Sequence, residues 1–252
     1  MKRKLLILFA LFLVCFNLFA CTPPEEPPPP QIPPAETLSL GNVMILGDSH
    51  STFAGYIPDD YISWYKPEND TNDVIRVEDT WWHLLINNTT NSNLVLNASY
   101  SGSSISYTGY DEQYAPLISF LTRLNNIISS QEIDLNSINT LIIYGGINDI
   151  AVQAPLGEFK YDNITEQDLY CFYPAVITLF QIAKQNLPNA RILFVINDEL
   201  NQYLCQDLIT ICETINVEYV ALQDISRMDW HPDIAGMNKI YRQLLTYFEN
   251  NK

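Results

Sequence analysis

The sequence predicts an α/β fold, a three-layer sandwich in which a five-stranded parallel sheet is covered by helices on both faces. Three observations carry this. Five short apolar runs, residues 43–46, 94–96, 140–144, 192–196 and 217–222, read as strands, and the first, continuous and bounded by a turn residue, has no wet face, the pattern of a strand buried on both sides. Segments with helical spacing separate them, and a crossover of that length returns the chain to a parallel neighbour. A chain of 252 residues with 47% hydrophobic content is large enough for one such domain.

The elements follow in order. Lys2, Arg3 and Lys4 precede an apolar stretch over residues 5–16, and Leu18-Phe19-Ala20-Cys21 closes it. This looks like a bacterial lipoprotein signal peptide over residues 1–20, with cleavage before Cys21 and lipid attachment to its thiol. An uncleaved anchor helix is the first alternative, but the stretch is shorter than the ~20 residues a span needs. A plain secretory signal is the second, against which a Cys stands where the mature chain would begin. Thr22 follows Cys21 where an Asp would retain a lipoprotein in the inner membrane, so an outer-membrane or cell-surface lipoprotein is expected. Residues 21–41 then form the lipidated Cys and a tether. Eight of the 15 prolines lie between Pro23 and Pro34, which imposes extended polyproline geometry. At ~3.1 Å per residue the tether holds the domain ~40 Å from the lipid.

Residues 42–252 form the domain. After the first apolar run, Gly47 allows a tight turn and Ser49 is expected near the N-terminus of a helix, where free N–H groups favour developing negative charge. Residues 53–77 are an aromatic, turn-rich insertion with the length of a functional loop. Asp79 or Thr80 caps a helix opening on Trp81-Trp82-His83. The second strand breaks into Asn97-Ala98-Ser99-Tyr100-Ser101-Gly102. A helix over 114–128 is expected from Leu117, Phe120, Leu121, Leu124 and Ile127 at 3–4 spacing. The third strand ends in Gly145-Gly146-Ile147-Asn148-Asp149. A loop over 151–165 leads to a helical region that Pro174 breaks or restarts and Pro188 closes. Residues 199–215 read as helix. Beyond the last strand, Asp229-Trp230-His231-Pro232 precedes a closing amphipathic helix over 234–248.

Charge and cysteines exclude more than they assign. The leader contains three of the 13 basic residues, leaving ten against 29 acidic ones. Nucleic acid and anionic membrane surfaces are therefore not expected ligands. Cys171, Cys205 and Cys212 are an odd set without a CxxC, so no zinc site is expected. Buried thiols are the expectation, with Cys171 paired to one of the others as the alternative. The chain has no Gly-x-Ser-x-Gly elbow, no phosphate loop and no GxGxxG, so no cofactor is expected.

In a parallel sheet, ligands bind beyond the carboxyl ends of the strands, which gathers Ser49, Gly102, Asn148 and His231 to one rim. Gly47-Asp48-Ser49-His50, the segment from Asn97 to Gly102, Gly146-Ile147-Asn148-Asp149 and Asp229-Trp230-His231-Pro232 together resemble the four blocks of the SGNH hydrolase superfamily, the GDSL esterases. The resemblance covers residues 42–252. Gly55-Tyr56-Ile57-Pro58 and Ala154-Pro155-Leu156-Gly157-Glu158 also look like a lipoprotein and gut-bacterial subgroup. The resemblance implies a flavodoxin-like sheet and a serine esterase without metal. It implies Ser49 as nucleophile, His231 as base, and an oxyanion hole from the Ser49 and Gly102 N–H groups and the Asn148 amide, with Gly102 lacking a side chain so that its N–H can approach.

The acid departs from the family pattern. Met228 stands three residues before the His, where relatives place an Asp. Asp229, two before His231, is the favoured acid; Asp224 and a Ser-His dyad held by backbone carbonyls are the alternatives. His50 is expected to point away along the helix and His83 to be partly buried. The expected substrate is a small O-acyl ester, with an acetylated carbohydrate favoured because all four Trp lie near the insertion or the blocks. A lysophospholipase or thioesterase is the alternative enzyme, disfavoured by the lack of a long apolar lid. A catalytically idle carbohydrate-binding lipoprotein is the alternative without chemistry.

Overall fold

The computed structural model describes residues 38–251; the signal peptide, Cys21 and most of the tether lie outside the described residues. Leu38 and Leu40 are buried, and the Thr90 N–H donates to the Leu38 carbonyl at 2.8 Å. The packed body therefore takes in the last residues of the stretch read as tether.

The sheet consists of β1 (Gly41–Gly47), β2 (Ser92–Asn97), β3 (Thr140–Tyr144), β4 (Arg191–Ile196) and β5 (Glu218–Ala221). Their order is β2-β1-β3-β4-β5, and every pairing is parallel. This is the flavodoxin-like order, in which the chain reverses direction across the sheet beside β1. Side chains alternate between the two faces of a strand. Met44 and Leu46 thus join a core with α3 (Phe120–Ser130), α5 (Phe172–Asn186) and α6 (Gln202–Ile215). Val43 and Ile45 join the opposite core with α1 (Trp81–Asn87) and α7 (Ile234–Asn250). Register places Gly47 beside Tyr144, Ile45 beside Asn97 and Tyr144 beside Val195, so the carboxyl ends of the central strands form one rim.

Several elements differ from the sequence reading for local reasons. The helix expected over 114–128 is two helices, α2 (Ala115–Ile118) and α3, because Ser119 turns to ψ 157° and its hydroxyl caps the Thr122 N–H at 3.1 Å. Leu117 consequently lies 62% exposed instead of in the apolar stripe. Pro174 neither breaks nor restarts α5; it is the third residue, where its missing N–H removes no helical bond. Asn201 caps α6 through the Tyr203 and Leu204 N–H groups, so Glu199 stays outside it. Thr80 stands at the N-cap of α1 as expected, but its side chain accepts no helix N–H; its hydroxyl donates to the Val77 carbonyl at 2.7 Å. Cys171, Cys205 and Cys212 are free thiols, buried or half-buried.

Candidate active site

Ser49 leaves the end of β1 in a single 3-10 turn, Ser49–Ser51, instead of the longer helix expected, with Asp48 as its cap. Gly47 is required just before it, since a Cβ there would stand 2.6 Å from Ser99 Oγ and 2.7 Å from Ser51 Cβ. The close approach joins the Ser49 turn to the loop after β2. Asn97 reinforces it by donating to the Ser51 carbonyl at 2.8 Å while accepting from Ser99 Oγ at 2.6 Å.

His231 is delivered from the far end of the chain. Arg227–Met228 (β6) and His231–Pro232 (β7) pair antiparallel, with Met228 opposite His231. Between them Asp229 (φ 48°) and Trp230 (φ 66°) are both left-handed, the requirement of a two-residue type I′ hairpin. The ring's Nε2 lies 3.0 Å from Ser49 Oγ, and its Nδ1 lies 2.8 Å from the Asp229 carbonyl oxygen. A carbonyl only accepts, so Nδ1 carries the proton and Nε2 presents a lone pair to the serine hydroxyl. Burial lowers the His231 pKa, partly offset by the Asp229 carbonyl and the nearby Asp229 charge.

The structure brings Ser49 and His231 together and places the two acid candidates elsewhere. No hydrogen bond joins the Asp229 carboxylate to the imidazole; the side chain is exposed and the residue serves through its main chain. Asp224 points to solvent and pairs with Lys239 at 3.6 Å. Asp48 accepts from the His50 N–H at 3.0 Å, and burial pushes it up to about 7.

The prospective oxyanion donors converge from three strands. Neither the Ser49 nor the Gly102 N–H has an acceptor among the described residues. Gly102 is a glycine for its φ of +78°: a Cβ would meet only Tyr110 Cδ2 at 4.0 Å, so conformation, not crowding, excludes a side chain. Asn148 Nδ2 donates one hydrogen to the Ser103 carbonyl at 2.9 Å, and its Oδ1 accepts from Tyr110 Oη at 3.3 Å. Those two contacts assign the amide orientation and leave the second Nδ2 hydrogen free. Asp149 fixes the same loop by accepting from the Ile105 and Ser106 N–H groups at 2.8 and 2.9 Å.

Residues outside the four blocks hold these parts in register. Arg123 of α3 is buried and donates to the carbonyls of Ala98 and Gly47, the latter at 3.1 Å, and to Ser103 Oγ at 2.8 Å. One guanidinium thus joins the end of β1 to the Gly102 loop. Its sequence signal was a lone charge three residues after Phe120 and four before Ile127, on the apolar stripe of α3. Arg227 pairs with Asp198 and Glu199, anchoring the His231 hairpin to the end of β4. From the insertion, Asn72 Nδ2 donates to the Met228 and His231 carbonyls at 3.1 and 3.3 Å, and Tyr65 Oη to the Pro232 carbonyl at 2.8 Å. Trp64 stacks on the His231 ring, centroids 3.7 Å apart and planes 10° apart.

His50 does not point away. It is buried, edge-on to His231 at 5.3 Å between ring centroids, and its carbonyl accepts from Trp81 Nε1 at 3.2 Å. Burial holds its pKa well below the usual value, so it is neutral and adds no charge beside the base. His83 is half-buried on α1, as expected. Among the described residues no group of His, Cys, Asp and Glu is arranged to hold a metal ion.

A prediction follows from the hairpin. Asp229→Asn and Asp229→Gly keep both the carbonyl and a residue tolerant of positive φ, and each is expected to lower turnover less than about tenfold, ~1.4 kcal/mol. Asp224→Asn is expected to be silent. Turnover of one ester at saturation measures all three, and a ~10⁴ loss in Asp229→Asn would return the carboxylate to the acid's place.

Comparison with known proteins identifies the family and the fold. The family model for GDSL-like lipase/acylhydrolase matches residues 41–248. Two crystal structures described as GDSL-like lipases are similar over nearly their whole lengths. That from Bacteroides ovatus is 34% identical, with TM-score 0.77, covering 84% of this chain and 99% of the other. That from Bacteroides uniformis is 35% identical, with TM-score 0.76, covering 83% and 96%. An acetyl xylan esterase from the rumen bacterium Butyrivibrio proteoclasticus shares the fold at 17% identity and TM-score 0.54, over 85% of this chain and 64% of its own. No curated protein matches the chain. On the family model and the two Bacteroides structures, the chain belongs to the GDSL-like lipase/acylhydrolase family and is an ester hydrolase of the SGNH type.

Proposed function

We propose that this hydrolase removes a small acyl group, acetyl foremost, from a carbohydrate hydroxyl, using Ser49 and His231 as a dyad. The observation that carries the reading is the line from the Asp229 carbonyl through Nδ1 and Nε2 to Ser49 Oγ, at 2.8 and 3.0 Å. Ser49 Oγ attacks the ester carbonyl carbon as its proton passes to Nε2. The Ser49 and Gly102 N–H groups and the free Asn148 Nδ2 hydrogen receive the oxyanion. Collapse expels the sugar alkoxide, which takes the proton from Nε2. Water then repeats the sequence on the acyl-serine, releasing the acid and restoring Ser49.

The rim supports a sugar as the alcohol. Trp230, the residue before the base, is 81% exposed and held at positive φ, a conformation unfavourable for a bulky residue. Tyr110, bonded to Asn148, is 66% exposed. Exposed aromatic side chains on residues adjoining His231 and Asn148 suit the apolar faces of a pyranose. The Butyrivibrio structure with the same fold is an acetyl xylan esterase, which favours the same substrate class. The leader ending at Cys21 and the Pro-rich tether support placement as an outer-membrane or surface lipoprotein.

Acetate release from acetylated xylan, measured beside hydrolysis of p-nitrophenyl acetate and p-nitrophenyl octanoate, tests the reading. Acetate release and preference for the short ester are expected. Inertness toward acetylated glycans with preference for octanoate would replace it with a lipid-directed activity.

A further inference from the structure

In a Ser-His-Asp site the carboxylate does two things: it orients the imidazole and it stabilises the imidazolium that forms when the serine loses its proton. Here the Asp229 carbonyl accounts for the orientation. A neutral carbonyl dipole offers less to the charge.

The groups facing His231 are all identifiable. Ser49 Oγ meets Nε2, and the Asp229 carbonyl meets Nδ1. Trp64 covers one face in parallel at 3.7 Å. His50 stands edge-on at 5.3 Å and Tyr65 edge-on at 6.2 Å; burial keeps the first neutral by lowering its pKa and the second neutral by raising it. Of the charged groups, Arg227 opposes protonation but is paired with Asp198 and Glu199. The Asp229 carboxylate favours it from an exposed side chain. The indole face is the only large π surface lying flat on the ring among the described residues, and π faces attract cations most strongly where water is excluded.

We propose that Trp64 is a positioning residue that clamps His231 in plane and stabilises its protonated form through the indole face. It would thereby supply the charge-stabilising part of what a third carboxylate supplies elsewhere. The proposal rests on His231 being the base of the hydrolytic site.

Two further features bear on this role. The Trp64 N–H donates at 2.8 Å to Thr52 Oγ1, whose own hydroxyl donates at 3.0 Å to the Ser49 carbonyl. That donor is the Trp64 main chain, so the backbone that presents the indole to the base is itself tied to the Ser49 turn. Its Nε1 is buried without an acceptor among the described residues. A buried donor left unsatisfied is unfavourable, so the indole is held here by its face and not by its polar edge. A Phe or Leu would fill such a slot without that loss if packing were the sole demand.

The test separates π density from shape. Trp64 is replaced site-specifically by 4-fluoro-, 5,7-difluoro- and 5,6,7-trifluorotryptophan, beside Trp64→Phe and Trp64→Leu. The His231 pKa is read by NMR titration in the free protein, with His231→Gln assigning the resonance, and kcat is read on p-nitrophenyl acetate. Fluorine withdraws density from the ring at nearly constant shape, so the imidazolium loses support. The pKa is expected to fall stepwise through the series and log kcat to fall with it. Trp64→Leu is expected to lose about tenfold in kcat, and Trp64→Phe to retain most of it. A flat pKa and flat kcat across the fluorinated series would overturn the proposal, even if Trp64→Leu is impaired, because that pattern reduces Trp64 to packing. The titration needs no substrate, so failure of the carbohydrate assignment would leave this result readable.

Discussion

Ser49→Ala is expected to lower turnover of a short ester by about 10⁴ or more while leaving the fold intact. The magnitude follows from removing the atom that forms the acyl-enzyme, a loss other serine hydrolases show at this scale. No neighbouring hydroxyl stands in for it. Ser99 Oγ is committed to Asn97 and Ser103 Oγ donates to the Tyr100 carbonyl, whereas Ser49 Oγ alone lies 3.0 Å from His231 Nε2. Structural cost should be small, because Thr52 bonds the Ser49 backbone carbonyl and not its side chain. Steady-state kinetics on p-nitrophenyl acetate, with covalent labelling by a fluorophosphonate, measure the outcome. The wild type should label and the variant should not. Turnover within tenfold of wild type would remove Ser49 as nucleophile.

The sequence discloses this site unevenly, and the reason lies in which interactions side-chain identity encodes. Strand positions were legible because apolar runs without a polar face have few other solutions, and their register then brings Gly47, Asn97 and Tyr144 together. Ser49, Gly102 and Asn148 were legible as candidates because each lies in a block just beyond a strand's carboxyl end, and His231 because its block follows the last strand by a few residues. The group that orients His231 was not. It is a main-chain carbonyl, and what aims it is a pair of left-handed residues, neither of them glycine. A residue-by-residue reading looks for a carboxylate and selects Asp229, whereas the contact to Nδ1 comes from that residue's main chain. The break at Ser119 escaped for a related reason, since its hydroxyl caps a new helix within one continuous apolar pattern.

The insertion was legible as a functional loop by its length but not by its task. Trp64, Tyr65, Asn72 and Asp73 all reach the hairpin or the first turn of α7, the last by accepting from the Ile234 N–H at 2.9 Å. These contacts span more than 150 positions in sequence, and no local pattern announces them. Their common effect is to immobilise a two-residue turn that would otherwise be free to move. The proposed dyad, with its base aimed by backbone, needs that rigidity, because a change in φ at Asp229 or Trp230 swings the carbonyl away from Nδ1.

Asn148→Ala is expected to lower turnover by ~10²–10³, or ~2.7–4 kcal/mol of barrier, with KM little changed. The amide reaches the site by an unusual route: Gly146, at φ +101°, turns the chain at the end of β3 so that α4 (Ile147–Ala151) starts with Asn148 facing the rim. Ser103 and Tyr110 then fix which end of the amide faces the reaction. The free hydrogen meets charge that exists only once Ser49 has added to the carbonyl, so the loss belongs in kcat and not in KM. The alanine also removes the donor to the Ser103 carbonyl, beside Gly102, which loosens one of the ties on that loop. Arg123 on Ser103 Oγ and Asp149 on the Ile105 and Ser106 N–H groups hold it independently, so thermal stability should fall only slightly. Asn148→Asp separates charge from shape: an ionised carboxylate in the same place opposes the oxyanion and should be at least as damaging as alanine at neutral pH. Near-wild-type turnover in a folded Asn148→Ala protein would take Asn148 out of the mechanism and leave the two backbone N–H groups as the whole oxyanion hole.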